Sequence, residues 1–287
     1  MAEGTRPVGV IGLGIIGSRV AKTLREAGHE VFVYNRSPKP EPNFLGSPAE
    51  VAEHCRVIQI FVRNGEDVVE VVNQLAETPL TEDHVIINHA TVSPDAVQEA
   101  LEVARGQGAG FVNAPFMGSR QASAEGKLVY FLGGDARDLD RARPILRASS
   151  QNMVTIGSAA EAAVAKIAGN LLVSVQNQAI AEAVGLAQRF GVDPEVFVRA
   201  IGSTGVASGL FHMKAPNMVH ANYDPHFSAA NMLKDARLAE TLARILGQDT
   251  PALDASRRGL EQVVDAGHGE EDFANVARLF LPDQSNR

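Results

Sequence analysis

Residues 8–36 read VGVIGLGIIGSRVAKTLREAGHEVFVYNR. An apolar run, three glycines at Gly12, Gly14 and Gly17, an amphipathic stretch and a second apolar run follow in order. That order predicts strand, tight turn, helix and strand. The first glycine permits the turn, the second lets a pyrophosphate approach the backbone, and the third lets helix and strand pack closely. The N–H groups of the turn, which also holds Leu13, Ile15 and Ile16, would grip the phosphates at the helix start. A dinucleotide is the expected ligand.

The end of the second strand selects which dinucleotide. A carboxylate on the ribose 2′-OH is usual there in NAD sites. This chain has Asn35-Arg36-Ser37 instead, followed by Lys39. No carboxylate repels a 2′-phosphate, and Arg36 is placed to clamp one, so NADP(H) is expected. Val62, at the end of a third strand run, belongs to the same expected cofactor set.

Outward from this unit the pattern repeats. VIQIFV (57–62), HVIINHA (84–90), GFVNAPF (110–116), LVYFLGG (128–134) and MVTIG (153–157) are further strand candidates. They are continuous apolar runs, as in strands buried on both faces of a parallel sheet. Helical patterns at 15–28, 47–54, 66–76, 94–107 and 137–149 lie between most of them. The alternation predicts an α/β fold, a doubly wound Rossmann domain over residues 1–158. Strand runs then stop. Residues 159–191 hold no proline and are rich in alanine and leucine, which predicts one long helix ended by Gly191. Helices are expected at 193–202, 206–220, 226–247 and 250–267. Residues 159–287 should thus form an all-α domain joined on by the long helix, with a frayed tail after Pro282.

The 287 residues are 45% hydrophobic and 21% charged, ordinary for a chain that buries a sizeable core. The net charge of −8 argues against nucleic acid and anionic membrane as partners. Arg6 followed by PVGVIGLGIIG could pass for a short signal peptide, but the glycine spacing explains the run, so secretion is not expected. One cysteine, Cys55, excludes an intrachain disulfide and suits a reducing cytoplasm. The eight histidines show no metal-ligand spacing, and no metal is expected.

Beyond the glycine turn, four more motifs follow in order. They are Thr91-Val-Ser-Pro94, then Ala114-Pro-Phe-Met-Gly118-Ser-Arg-Gln-Ala122 with Gly126-Lys-Leu, then Lys166-Ile-Ala-Gly-Asn170, then Phe227 with Lys234-Asp235. Together they resemble the β-hydroxyacid dehydrogenases of the 6-phosphogluconate dehydrogenase superfamily, 3-hydroxyisobutyrate dehydrogenase among them. Leu210-Phe-His-Met-Lys-Ala-Pro216 is similar to the glyoxylate/succinic semialdehyde reductase branch. The resemblance implies that Thr91 touches substrate and the nicotinamide side. It implies that Gly118 and Ser119 offer N–H groups to a carboxylate, that Phe227 and Asp235 close the site, and that Lys234 contacts cofactor. Met117 departs from the serine that the family places before its glycine, which shifts carboxylate recognition toward Ser119 and Arg120. Asn88 and Asn113 stand where aspartates are common.

Lys166 and Asn170 are four apart and share a helix face. Asn177 continues this polar stripe among alanines and leucines. Hydride delivery to a carbonyl builds negative charge on its oxygen. An ammonium at hydrogen-bond distance stabilises that charge and supplies the proton. Lys166 is the expected proton donor, and Asn170 would orient substrate or lysine. The expected activity is NADPH-dependent reduction of small aldehyde or keto acids, of the glyoxylate or succinic semialdehyde type. The alternatives are an imine reductase-like enzyme, which Met117 favours and Lys166 opposes, and a catalytically silent NADP-binding scaffold. A homodimer or homotetramer is expected from the apolar faces of the long helix.

Overall fold

The computed structural model describes residues 7–281. Arg6 and the tail after Pro282 lie outside the described residues. The chain forms two compact units that divide between Lys166 and Ile167.

In the first unit, β1 (Val8–Ile11), β2 (Val31–Tyr34), β3 (Val57–Ile60), β4 (Val85–Asn88) and β5 (Gly110–Asn113) run parallel in the order β2-β1-β3-β4-β5. Four of them are buried along their whole length, which is why they read as unbroken apolar runs. Strand β2 alternates buried and half-buried positions because it lies at the sheet edge. Side chains alternate between the two faces. Ile11, Ile58, Ile60 and Ile86 pack under α2 (Pro48–His54), α3 (Gly65–Leu75) and α4 (Pro94–Gly106) through Val51, Val68, Val72 and Val97. Val10, Val33, Val85 and Ile87 face the other way, onto Val20 and Leu24 of α1 (Gly17–Glu26). Helices on both faces make the sheet doubly wound.

The sheet's far side departs from the sequence reading. The run 110–116 splits at Ala114-Pro115, where proline offers no N–H. It yields β5 and a separate β6 (Phe116–Met117). The chain then passes through the short α5 (Arg120–Ala124), and β7 (Leu128–Gly134) returns antiparallel to both β6 and β5. A helix, α6 (Ala136–Leu146), leads to β8 (Ser150–Gly157), which pairs parallel with β7. Strand β8 starts three residues before the apolar run that marked it, at an exposed edge where Ser150, Gln151 and Asn152 give no strand signal.

Helix α7 (Ala159–Phe190) runs unbroken for 32 residues. Ala159 and Ala163 pack into the first unit's core, whereas Ile167 belongs to the second unit's. The second unit continues with α8 (Pro194–Gly202), α9 (Gly209–Val219), α10 (Ala229–Ile245) and α11 (Pro251–Val263). Helices α9 and α10 start about three residues later than periodicity suggests, because Ser208 and Ser228 cap them. Helix α11 stops short of 267, where Gly267 adopts φ +90°. A 3-10 helix, Phe273–Leu279, had no sequence signal. Among the described residues no helix is long and apolar enough to cross a membrane.

Candidate functional site

The three glycines differ in what a side chain would meet. A Cβ on Gly12, at φ +92°, would stand 2.1 Å from the Phe61 carbonyl oxygen, and one on Gly17 2.0 Å from the Gly12 carbonyl oxygen. A Cβ on Gly14 would meet nothing within 4 Å. The turn is therefore closed on the protein side at Gly12 and Gly17 and open at Gly14. Leu13 is spent on the fold: its side chain is buried, its N–H donates to Asn35 Oδ1 at 2.9 Å and its carbonyl accepts from Lys39 Nζ at 2.5 Å. Among the described residues no acceptor meets the N–H groups of Gly14, Ile15 and Ile16. Helix α1 begins with no side-chain cap and no acidic residue in its first turn, whereas serine or asparagine caps α2, α3 and α4. An open glycine, unmet N–H groups and an uncapped helix start fit a dinucleotide pyrophosphate.

At the end of β2, the Asn35 amide donates to the Ser37 carbonyl at 2.7 Å, which ties the strand's exit to the turn. Arg36 is 88% exposed, and its guanidinium lies 3.9 Å from Asp67 Oδ1. Lys39, which sequence reasoning left beside the site, is thus drawn onto the glycine turn itself. Val62 follows β3 and is half-buried against the α2–α4 face.

The strand ends build the next layer. Asn88 and Asn113 are register partners at the ends of β4 and β5. Asn88 donates to Asn113 Oδ1 at 2.8 Å, and Asn113 donates to the Ala159 carbonyl at 2.9 Å. Asn88 Oδ1 in turn accepts the Ala90 N–H. This buried chain fixes the segment leading to Thr91 and the first turn of α7. His89 is structural. Its nitrogens meet the Ala114 carbonyl at 2.7 Å and the Gln59 amide at 2.9 Å, and its ring stacks on Phe61. Burial pushes its pKa down to about 3, so the ring is neutral.

Two turns into α7, Lys166 is largely buried and donates to the Met117 sulfur at 3.1 Å. Strand β6 delivers Met117, paired opposite Val129. Gly118 follows at φ +147°, where a Cβ would stand 2.7 Å from Leu128. The Ser119 hydroxyl accepts from Ala122 N at 3.2 Å and caps α5, whose first residue is Arg120. Sequence reasoning marked Met117 as a departure but missed that it touches the lysine.

In the second unit, Asn170 donates to Asp235 Oδ2 at 2.5 Å, and Lys234 Nζ lies 2.7 Å from Asp235 Oδ1. Farther along α7, Ser174 bonds Ser256 and Asn177 donates to the Phe273 carbonyl. The polar stripe is buried and bonded rather than solvated. Phe227 is held by its backbone: its N–H donates to Asp272 Oδ2, and its carbonyl accepts from Phe273 N. Asp272 also takes Lys214 Nζ at 2.6 Å and the N–H groups of His226 and Ala274. Burial lowers the Lys214 pKa against the pull of Asp272. Neither member of this pair was read from sequence. The one signal was a lysine inside the otherwise uncharged LFHMKAP.

Comparison with known proteins agrees with this arrangement. A family model described as the NAD binding domain of 6-phosphogluconate dehydrogenase matches residues 7–157. A second, the NAD-binding of NADP-dependent 3-hydroxyisobutyrate dehydrogenase, matches residues 160–280. The chain is 27% identical to glyoxylate/succinic semialdehyde reductase 2 of Arabidopsis thaliana, over 98% of this chain and 81% of that protein. It is 28% identical to an L-threonate dehydrogenase of Cupriavidus necator, over 96% of each. A Mycobacterium tuberculosis 3-hydroxyisobutyrate dehydrogenase structure superposes with TM-score 0.85 at 25% identity, covering 96% of this chain and 99% of that one. With both family models in sequence order and the glycine turn intact, the chain belongs to the β-hydroxyacid dehydrogenases, NAD(P)-dependent oxidoreductases acting on CH–OH and carbonyl groups.

Proposed function

We propose that the protein is an NADPH-dependent reductase of small aldehyde or keto acids, with Lys166 as proton donor. The observation that carries this reading is the largely buried Lys166 ammonium, held at 3.1 Å by a thioether. A thioether is a weak acceptor. The contact to Met117 is therefore no match for a stronger acceptor such as a carbonyl oxygen. A bound nicotinamide supplies the hydride. Lys166 donates a hydrogen bond to the carbonyl oxygen, stabilises the charge that grows there and gives up a proton from Nζ. Asn170, fixed by Asp235, orients substrate or lysine, and Thr91, Gly118, Ser119, Arg120 and Phe227 contact the substrate. The unmet N–H groups of Gly14, Ile15 and Ile16 would carry the pyrophosphate, with Gly12 and Gly17 shaping the turn; Arg36 and Ser37 would hold the 2′-phosphate, and Val62 and Lys234 would complete the cofactor's surroundings.

The apolar thioether beside the lysine favours a second reading, an imine reductase-like enzyme. NADPH consumption with glyoxylate, succinic semialdehyde and a cyclic imine separates the readings. Turnover of an aldehyde acid supports the first and turnover of the imine alone the second. NADPH binding without any turnover leaves a silent scaffold. The exposed apolar residues of α7, Leu172, Leu186 and Phe190, support a homodimer or larger assembly built on the helical unit.

A further inference from the structure

We propose that Met117 is a specificity-determining residue. It turns the site against carbonyls that bear a carboxylate on the carbonyl carbon itself. It favours aldehydes whose carboxylate stands two or more methylenes away, where Arg120 meets it. This rests on the reading of Lys166 as the group that grips the carbonyl oxygen.

The geometry around Nζ carries the inference. The carbonyl oxygen must come within about 3 Å of Lys166 Nζ to accept its proton, and the Met117 sulfur already stands 3.1 Å from the same atom. A carboxylate on the carbonyl carbon has its oxygens within about 3.5 Å of the carbonyl oxygen. Where the carbonyl takes the sulfur's side of Nζ, that carboxylate comes against the thioether. A thioether donates no hydrogen bond, and a carboxylate desolvated without donors is strongly disfavoured. Such a carboxylate would also compete for the ammonium as an ion pair and draw it off the carbonyl.

The loop backbone holds Met117 at this place beside the lysine. The Met117 backbone pairs with Val129, and Gly118 follows at φ +147°, where a Cβ would meet Leu128. The next residues set what lies farther out. The Ser119 hydroxyl is engaged in capping α5. Arg120 follows, half-buried, as the first residue of α5. Two methylenes carry a carboxylate about 2.5 Å farther from the carbonyl. That carries it away from the sulfur, and the first cation of the loop, Arg120, has a planar fork that suits a carboxylate.

The test compares glyoxylate, succinic semialdehyde and butanal with NADPH, in the parent protein and in Met117→Ser and Arg120→Gln. The parent should prefer succinic semialdehyde over glyoxylate by about tenfold or more in kcat/KM. Met117→Ser should narrow that preference by about tenfold through faster glyoxylate reduction. Arg120→Gln should raise KM for succinic semialdehyde about tenfold and shift that for butanal, which has no carboxylate, far less. Calorimetry of the NADP+-loaded protein with oxamate and succinamate, the unreactive amide counterparts, reads the same preference without turnover. Tighter binding of succinamate with no aldehyde reduced leaves this inference standing and removes the reductase reading. Oxamate binding as tightly as succinamate, or a parent enzyme that prefers glyoxylate, overturns the inference.

Discussion

The Arg36 guanidinium lies 3.9 Å from the carboxylate of Asp67, a first-turn residue of α3 whose backbone N–H donates to the capping Asn64 side chain. So exposed a pair contributes little by itself. On the proposed NADPH reading, a 2′-phosphate would offer Arg36 a dianionic, bidentate partner in place of Asp67. Arg36→Ala should weaken NADPH binding by about 1.5–3 kcal/mol, the scale of a charged hydrogen bond, and leave NADH almost unchanged. Fluorescence titrations that give equal affinities for both cofactors in the parent protein would sink this assignment.

On the proposed mechanism, Lys166→Ala removes both the acid and the charge that would steady the nascent alkoxide. It should lower kcat by at least ~10²-fold while NADPH affinity stays near normal, since the glycine turn and Arg36 are untouched. Lys166→Arg keeps the charge but does not release a proton at neutral pH, so it should not restore the parent rate. A Lys166→Ala protein within tenfold of the parent rate is the outcome that rules the lysine out as acid.

His89 makes stability acid-sensitive. Its pKa falls from 6.5 to about 3 on burial. The unfolded chain therefore takes up a proton below pH 6.5 that the folded chain refuses until about pH 3. Stability contributed by the neutral ring is present above 6.5 and is lost as pH falls toward 3, by up to about 1.4 kcal/mol per pH unit. Urea melts between pH 6.5 and 4 should show this slope, and His89→Gln should flatten it. Identical slopes in the two proteins would contradict the assignment.

The Lys214–Asp272 pair predicts a stability effect in the helical unit. Breaking a buried pair on one side costs about 3–5 kcal/mol. Lys214→Ala should approach that range. Asp272→Ala should exceed it, because the N–H groups of His226, Phe227 and Ala274 lose their acceptor as well. Denaturant midpoints for the two variants test the order.

On α7, Phe190 is 90% and Leu186 74% exposed. Single exposed apolar residues are ordinary, but two of this size one turn apart on one helix suit a covered face. Light scattering should give a mass above the 30.5 kDa of one chain. The double change Leu186→Glu and Phe190→Glu should return the mass to that value. A parent protein that is monomeric across micromolar concentrations removes the interface.

The doubly wound half was legible because Val and Ile runs buried on both faces have one architectural solution, and the glycines could be assigned from spacing alone. The hairpin of β6 and β7 was not, because a two-residue strand and a proline break carry no periodicity. At the site, Lys166 and Asn170 were visible as polar residues in an apolar helix. Their partners were not, since the 3.1 Å contact to Met117 and the Asp235 bond join residues 49 and 65 apart in sequence. The link from Lys214 through Asp272 to the Phe227 N–H was equally hidden. It depends on a short 3-10 helix that no spacing announces.

The boundary inside α7 sets where this protein can be recombined. Its first two turns are seated in the sheet's core by Ala159 and Ala163 and tethered by Asn113, while Ile167 is already anchored to the helices that follow. A chimera spliced at the sequence-visible junction near residue 158 would strip the α/β half of the lysine and of the helical plug that covers part of its core. A graft that carries residues through Lys166 would keep both, and would ask the donor only for a helix in phase.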